Sequence, residues 1–232
     1  MRAILSMLRW VLAVALVLIA GLDRAVPAAT LSPMTGTIVF DVMRGGRPMG
    51  VHRLDFHREG DRLIVDIAID LEVRLIVPLY SYTHRSREIW VSGRLARIDT
   101  TTDDDGRKFR VAGGVEPAGF VVDSTAGRFI APADLVPTSY WRERMLRSGP
   151  LFDTQEGRLI AASIVDLPDE VLTLGGQPVP ARVYDVSGDL NMRLWYGADG
   201  RWLKLRFVAR GSDIEYVLRR SDLSTALLSG ER

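Results

Sequence analysis

In residues 190–220 apolar side chains return at every second position, and this restricts the fold more than any other feature of the chain. Leu190, Met192, Leu194 and Tyr196 share one parity, with Asn191 and Arg193 on the other. After Asp199-Gly200 the alternation resumes as Leu203, Leu205 and Phe207 against Lys204 and Arg206. After Gly211 it resumes as Ile214, Tyr216 and Leu218 against Glu215 and Arg219. A period of two puts alternate side chains on opposite faces of a strand, and a helical period does not satisfy it. Short Gly/Asp corners between such runs predict an antiparallel meander with one buried face.

The same pattern extends upstream. Residues 36–43 read as a strand, 44–48 as a turn and 50–57 as the return, with Leu54 and Phe56 opposite Arg53 and Asp55. The most regular run sets Leu63, Val65, Ile67, Ile69, Leu71 and Val73 against Arg62, Asp66, Asp70, Glu72 and Arg74. Pro78 cannot donate to a ladder and predicts a bulge, an edge position or a restart. Residues 79–84 and 88–99 continue the sheet, 100–106 read as a polar turn, and 109–112, 120–122 and 128–130 read as short strands. Residues 138–147 differ: Tyr140, Trp141, Met145 and Leu146 fit a helical spacing behind Thr138 or Ser139 as a cap, and Ser148-Gly149-Pro150 stops it. Residues 159–167, 170–174 and 180–188 complete the strands. The prediction is an all-β protein, a single antiparallel curved sheet or open barrel built as a meander. Its one short helix, near 138–147, packs on the sheet or plugs its open end.

Composition bounds the function classes. The chain has 232 residues and a formal net charge of +1, which gives no global attraction to nucleic acid or anionic lipid. Of 30 basic residues only Lys108 and Lys204 are lysines, and the arginines are scattered among acids. The absence of cysteine removes disulfides, thiol catalysis, cysteine-ligated metals and the acylated cysteine of a lipoprotein. Arg2 and Arg9, the apolar run 10–22 and Val26-Pro27-Ala28-Ala29 follow the order of a secretory signal. That run is shorter than the roughly 20 apolar residues of a membrane-spanning helix, although an uncleaved anchor is the alternative. The expected organisation is a signal peptide over 1–28, a β-domain over 29–220 and a flexible tail over 221–232. The mature chain is then expected in the periplasm or secreted, with no membrane span.

Few residues suggest chemistry. His52 and His57 lie five apart on a strand, hence on opposite faces, and are poorly placed to share a metal. His84 lies near Ser81, Ser86 and Glu88, but no nucleophile elbow surrounds a serine, and it reads as a rim histidine between strands. Asp103-Asp104-Asp105-Gly106 lacks the spacing of a calcium loop and reads as a hairpin turn. Asp153-Thr154 reads as a turn too. No cofactor motif is present. Trp195 and Trp202 oppose the apolar parity of their strands, so they line either a second, partly apolar surface or a sheet that buries bulk on both sides.

Tyr80-x-Tyr82-x-His84, Glu88-x-Trp90, Gly93-Arg94-Leu95, the run from Thr102 to Gly106, Ser139-x-Trp141, Asp153-Thr154-x-x-Gly157, Leu194-Trp195-Tyr196 and Gly200-x-Trp202 occur in an order that resembles a group of exported bacterial proteins, domain of unknown function 6134. The resemblance covers nearly all the mature chain and implies location and fold; it carries no catalytic residues. More distantly, such chains are similar to periplasmic half-barrel lipoprotein carriers. The expected function is a non-catalytic envelope protein holding an apolar ligand or lipid in its curved sheet, with Tyr82, His84, Glu88, Trp90, Trp141, Trp195 and Trp202 as the candidate binding residues. The alternatives are a sparse-site, hydrolase-like envelope enzyme using Glu88 and His84, and a structural or partner-binding module.

Overall fold

A computed structural model of the chain describes residues 34–74 and 78–224. The expected signal segment, 1–28, and most of the expected tail lie outside the described residues. The predicted meander is present. Its strands are β1 (Met34–Arg44), β2 (Arg47–Glu59), β3 (Arg62–Arg74), β4 (Pro78–Val91), β5 (Arg94–Asp104), β6 (Arg107–Glu116), β7 (Gly119–Ser124) and β8 (Gly127–Ala131). After an irregular segment containing β9 (Val136–Pro137), β10 (Leu151–Phe152) and β11 (Leu159–Ile160), the meander resumes. It continues as β12 (Ala162–Leu174), β13 (Gln177–Gly188), β14 (Met192–Tyr196), β15 (Trp202–Ala209) and β16 (Ser212–Ser221).

Thirteen of these strands form one antiparallel sheet in the order β12-β13-β14-β15-β16-β1-β2-β3-β4-β5-β6-β7-β8. It is curved but not closed into a barrel, so β12 and β8 are its two edges. The first and last long strands meet in the middle, where Phe40 pairs with Leu218 and Val42 with Tyr216.

Alternation builds the concave interior in cross-strand rows. One row runs Phe56, Val65, Glu88 and Ile98; the next runs Leu54, Ile67, Ser86, Thr100 and Val111; the third runs His52, Ile69, His84 and Thr102. A curved open sheet cannot cover its own concave face, and residues 132–161 do so instead. Leu135, Val136, Tyr140, Trp141, Met145, Leu146, Leu151, Phe152 and Ile160 are all buried in the cluster formed with the sheet's inward residues. Polar anchors fix this plug: Thr100 Oγ1 donates to the Thr154 carbonyl at 2.7 Å, Tyr82 Oη to Gln155 Oε1 at 3.1 Å, and Tyr196 Oη to the Tyr140 carbonyl at 2.9 Å.

The structure corrects several local expectations. Residues 88–99 are not one strand: Ser92 and Gly93, both at positive φ, turn the chain between β4 and β5. Residues 100–104 are not a turn but the end of β5, because Thr100 and Thr102 face inward and are buried. The short helix is a single 3-10 turn, Glu143–Arg147, without a side-chain cap. The Thr138 amide instead donates to the Phe152 carbonyl, so the parallel pairing of β9 with β10 claims the backbone that a cap would need. His84 is not at a rim but only 4% exposed. Trp195 and Trp202 do not share a surface. A bulge between Trp195 and Tyr196 in the β14–β15 ladder turns Trp202 inward against Phe40, at 4.3 Å between ring centroids. Trp195 packs on the other face with Ala181, Val183 and Leu203.

Gly157 closes the plug onto the sheet. It has φ +76°, and a Cβ there would lie 2.4 Å from Ser124 Cβ. Gly157→Ala combines a left-handed φ with a clash against the Ser124 side chain and is expected to lower the stability of folding by about 2–3 kcal/mol, read as a fall in urea midpoint at unchanged slope.

Candidate functional site

Alternation on β4 carries the candidate residues inward together: Tyr82, His84, Ser86, Glu88 and Trp90 line one face. From the opposite side the plug delivers Trp141. Tyr140 before it takes φ +53°, a conformation unusual for an aromatic residue, with its carbonyl held by Tyr196. This places Trp141 edge-on to Trp90 at 5.7 Å and to Phe56 at 5.4 Å.

Glu88 lies under these indoles, fully buried. Both Trp90 Nε1, at 2.9 Å, and Trp141 Nε1, at 3.3 Å, donate to the same oxygen, Oε2. Arg142 stacks over Trp141 at 4.4 Å and over Trp90 at 5.5 Å, which keeps a cation near the carboxyl. Burial pushes the Glu88 carboxyl up to about 7, against the indole bonds, the neighbouring Ser139 and the Arg142 charge, which pull it down. Ser139 stands beside the carboxyl, yet neither its Oγ nor Glu88 Oε1 closes a hydrogen bond among the described residues.

Toward the other end of the curved sheet the histidines converge. His52 and His84 flank Ile69 in one row, a convergence of separate strands that no local pattern announces. His84 Nδ1 bonds Thr102 Oγ1 at 2.8 Å, and burial lowers its pKa to about 4, helped by Arg85. His52 sits among Phe40, Trp202 and Tyr216 with neither ring nitrogen hydrogen-bonded, and burial, helped by His84, lowers its pKa to about 3. Both rings are neutral near pH 7. Two histidines do not make a metal site, and among the described residues no group of three or more His, Asp or Glu converges on one point.

Beyond this row the interior opens. A cavity of about 410 Å³ is lined by Met49, Ile69, Leu71, Tyr80, Tyr82 and Phe207, among others. Of the expected binding residues only Tyr82 reaches it; His84, Glu88, Trp141 and Trp202 lie in the packed interior, Trp90 borders a separate cavity of about 500 Å³ beside Arg142 and Met145, and Trp195 lies on the convex side. Sequence reasoning missed Leu71, Tyr80, Phe207 and Tyr216 as lining residues. Their inward parity was readable, but the position at which the plug stops filling the sheet was not.

The geometry around Glu88 yields a pH signature. A carboxyl whose folded pKa, about 7, exceeds its ordinary 4.5 is favourable when protonated, so its contribution is full below about pH 4.5 and is lost as pH rises through 7. The two histidines act oppositely, losing stability as pH falls below 6.5, so the Glu88 effect is isolated by difference. In Glu88→Gln the amide oxygen replaces the one oxygen that serves both indoles. We expect this variant to gain about 3 kcal/mol relative to wild type between pH 4.5 and pH 8, measured by urea unfolding at both pH values.

Comparison with known proteins bears on the fold. No curated protein matches the sequence. Among solved structures, a beta-barrel-like protein of domain of unknown function DUF1849 from Brucella abortus superposes with a TM-score of 0.56 at 11% identity, covering 82% of this chain and 98% of that one. At that identity the likeness shows a shared fold alone. Residues 40–219 match the family described as Domain of unknown function (DUF6134), and the chain belongs to that family.

Proposed function

We propose that this protein is a non-catalytic binding protein of the bacterial envelope that holds an apolar ligand in the cavity at the open end of its curved sheet. One observation carries the proposal: the plug fills the concave face up to the His52–His84 row and then stops, leaving about 410 Å³ lined by Met49, Ile69, Leu71, Val73, Leu79 and Phe207. Small-molecule sites have volumes of roughly 300–1,000 Å³ and mostly apolar walls with a few polar groups. Tyr80, Tyr82, Tyr216 and Gln155 supply such groups. The expectation of an exported chain, from the pattern of residues 1–29, gives the proposed location. Among the described residues no helix is long and apolar enough to cross a membrane.

The enzyme reading finds its acid but no approach to it. Glu88 has the raised pKa of an acid–base group, yet it is fully buried beneath Trp90 and Trp141 and does not line the cavity. A carboxyl that substrate cannot touch does no chemistry on it.

Leu71→Asp puts a carboxylate in the apolar wall. The variant is expected to weaken uptake of a fluorescent fatty acid at least about tenfold, while keeping the far-UV circular dichroism of the native sheet. Wild-type protein that emerges ligand-free in native mass spectrometry and takes up no such probe would overturn the proposal.

A further inference from the structure

The binding reading leaves open which apolar molecules fit, and the cavity wall bears on that choice. Its lining contains two charged side chains, Arg44 at the end of β1 and Arg210 at the β15–β16 corner, and among the described residues no carboxylate lines it. Neither arginine makes an ion pair with a described residue, whereas many surface arginines of this protein do. Arg53 pairs with Asp55, Arg87 with Asp66, Arg97 with Asp99 and Arg206 with Asp213.

Arg210 also occupies a place that its residue type does not favour. It has φ +48°, a left-handed conformation at a hairpin corner where glycine or asparagine fits with less strain. From there its guanidinium carbon lies 4.6 Å from the centre of the Tyr80 ring, at the cavity wall. The Asp104 and Asp105 carboxylates act on the Tyr80 hydroxyl, raising its pKa, but neither residue lines the cavity. The result is a greasy pocket with a cationic lip.

Resting on the binding reading above, we infer that the ligand is an amphiphile with an anionic head: its chain lies among Ile69, Leu71, Phe207 and Ile214, and its head meets the guanidinium groups of Arg44 and Arg210. A guanidinium recognises carboxylate and phosphate alike, so the shared chemistry is an oxyanion on an apolar chain. The carboxylate of a fatty acid and the phosphate of a lipid are its two sources.

The test compares ligands of one chain length that differ only at the head: decanoate, decyl phosphate, 1-decanol and decyltrimethylammonium, titrated calorimetrically into the full-length protein. The expected result is that at least one anion binds about five- to tenfold tighter than decanol, with the cation weakest. The tighter anion identifies the source. In the double variant Arg44→Gln, Arg210→Gly the ratio of anion to alcohol affinity should fall toward one. Glycine suits φ +48°, so this variant keeps the corner and is expected to fold. Equal binding of decanoate, decyl phosphate and decanol by wild type would overturn the anionic head but leave the apolar reading standing. A preference that survives in the double variant would overturn the assignment to Arg44 and Arg210. Binding of none of the four ligands would overturn the binding reading, and this inference with it.

Discussion

The structure depends on an inserted segment covering a face that the sheet cannot cover for itself. Thirteen strands curl without closing, and their concave side presents Phe40, Leu54, Phe56, Val65, Trp90 and Leu194 with nothing opposite them in the sheet. Residues 132–161 supply the missing layer with Trp141, Met145, Leu146 and Phe152, all nearly inaccessible to solvent. Apolar burial of this kind is the largest favourable contribution to folding. Polar contacts set where the segment sits: Thr100 to Thr154, Tyr82 to Gln155 and Tyr196 to Tyr140. The position of the plug also fixes where the interior remains hollow, so the candidate site is the remainder of an incomplete filling.

The long strands were legible because their chemistry is local. Leu63 to Val73, Leu190 to Tyr196 and Ile214 to Leu218 announce both strand and face through alternation alone. What escaped was set by distant partners. Thr100 and Thr102 look like turn residues, but they face inward to meet Thr154 and His84. Tyr140 and Trp141 look helical, but an extended pairing with residues 151–152 takes the preceding backbone. Trp202 has outward parity in sequence, and a single bulge reverses it. The expectation of an apolar interior with aromatics was sound, but most of the aromatics serve as core and only Tyr82 of the expected set lines the hollow.

The interior also carries polar groups that packing does not require. Glu88, Ser86, Ser139 and His52 each have at least one buried polar atom without a partner among the described residues. Such groups reduce stability, and a chain under selection for stability alone would replace them with apolar residues of similar size. His84 and Thr102 are satisfied by one another. The unsatisfied atoms form a band between the Trp90–Trp141 end and the open cavity.

The order of strands has one further consequence. Because β1 lies between β2 and β16, the centre of the sheet is stitched from the opposite ends of the described chain, with the Asp222 amide donating to the Thr37 carbonyl and Arg219 paired with Asp41. Contacts of such long sequence separation carry a high loop-closure cost and slow the approach to the native state. Each half can assemble hairpin by hairpin, but they become one continuous surface only when the last strand arrives. A nascent chain lacking β16 would therefore be split down the middle of its sheet instead of frayed at a border, and completeness of synthesis becomes a condition for one continuous core.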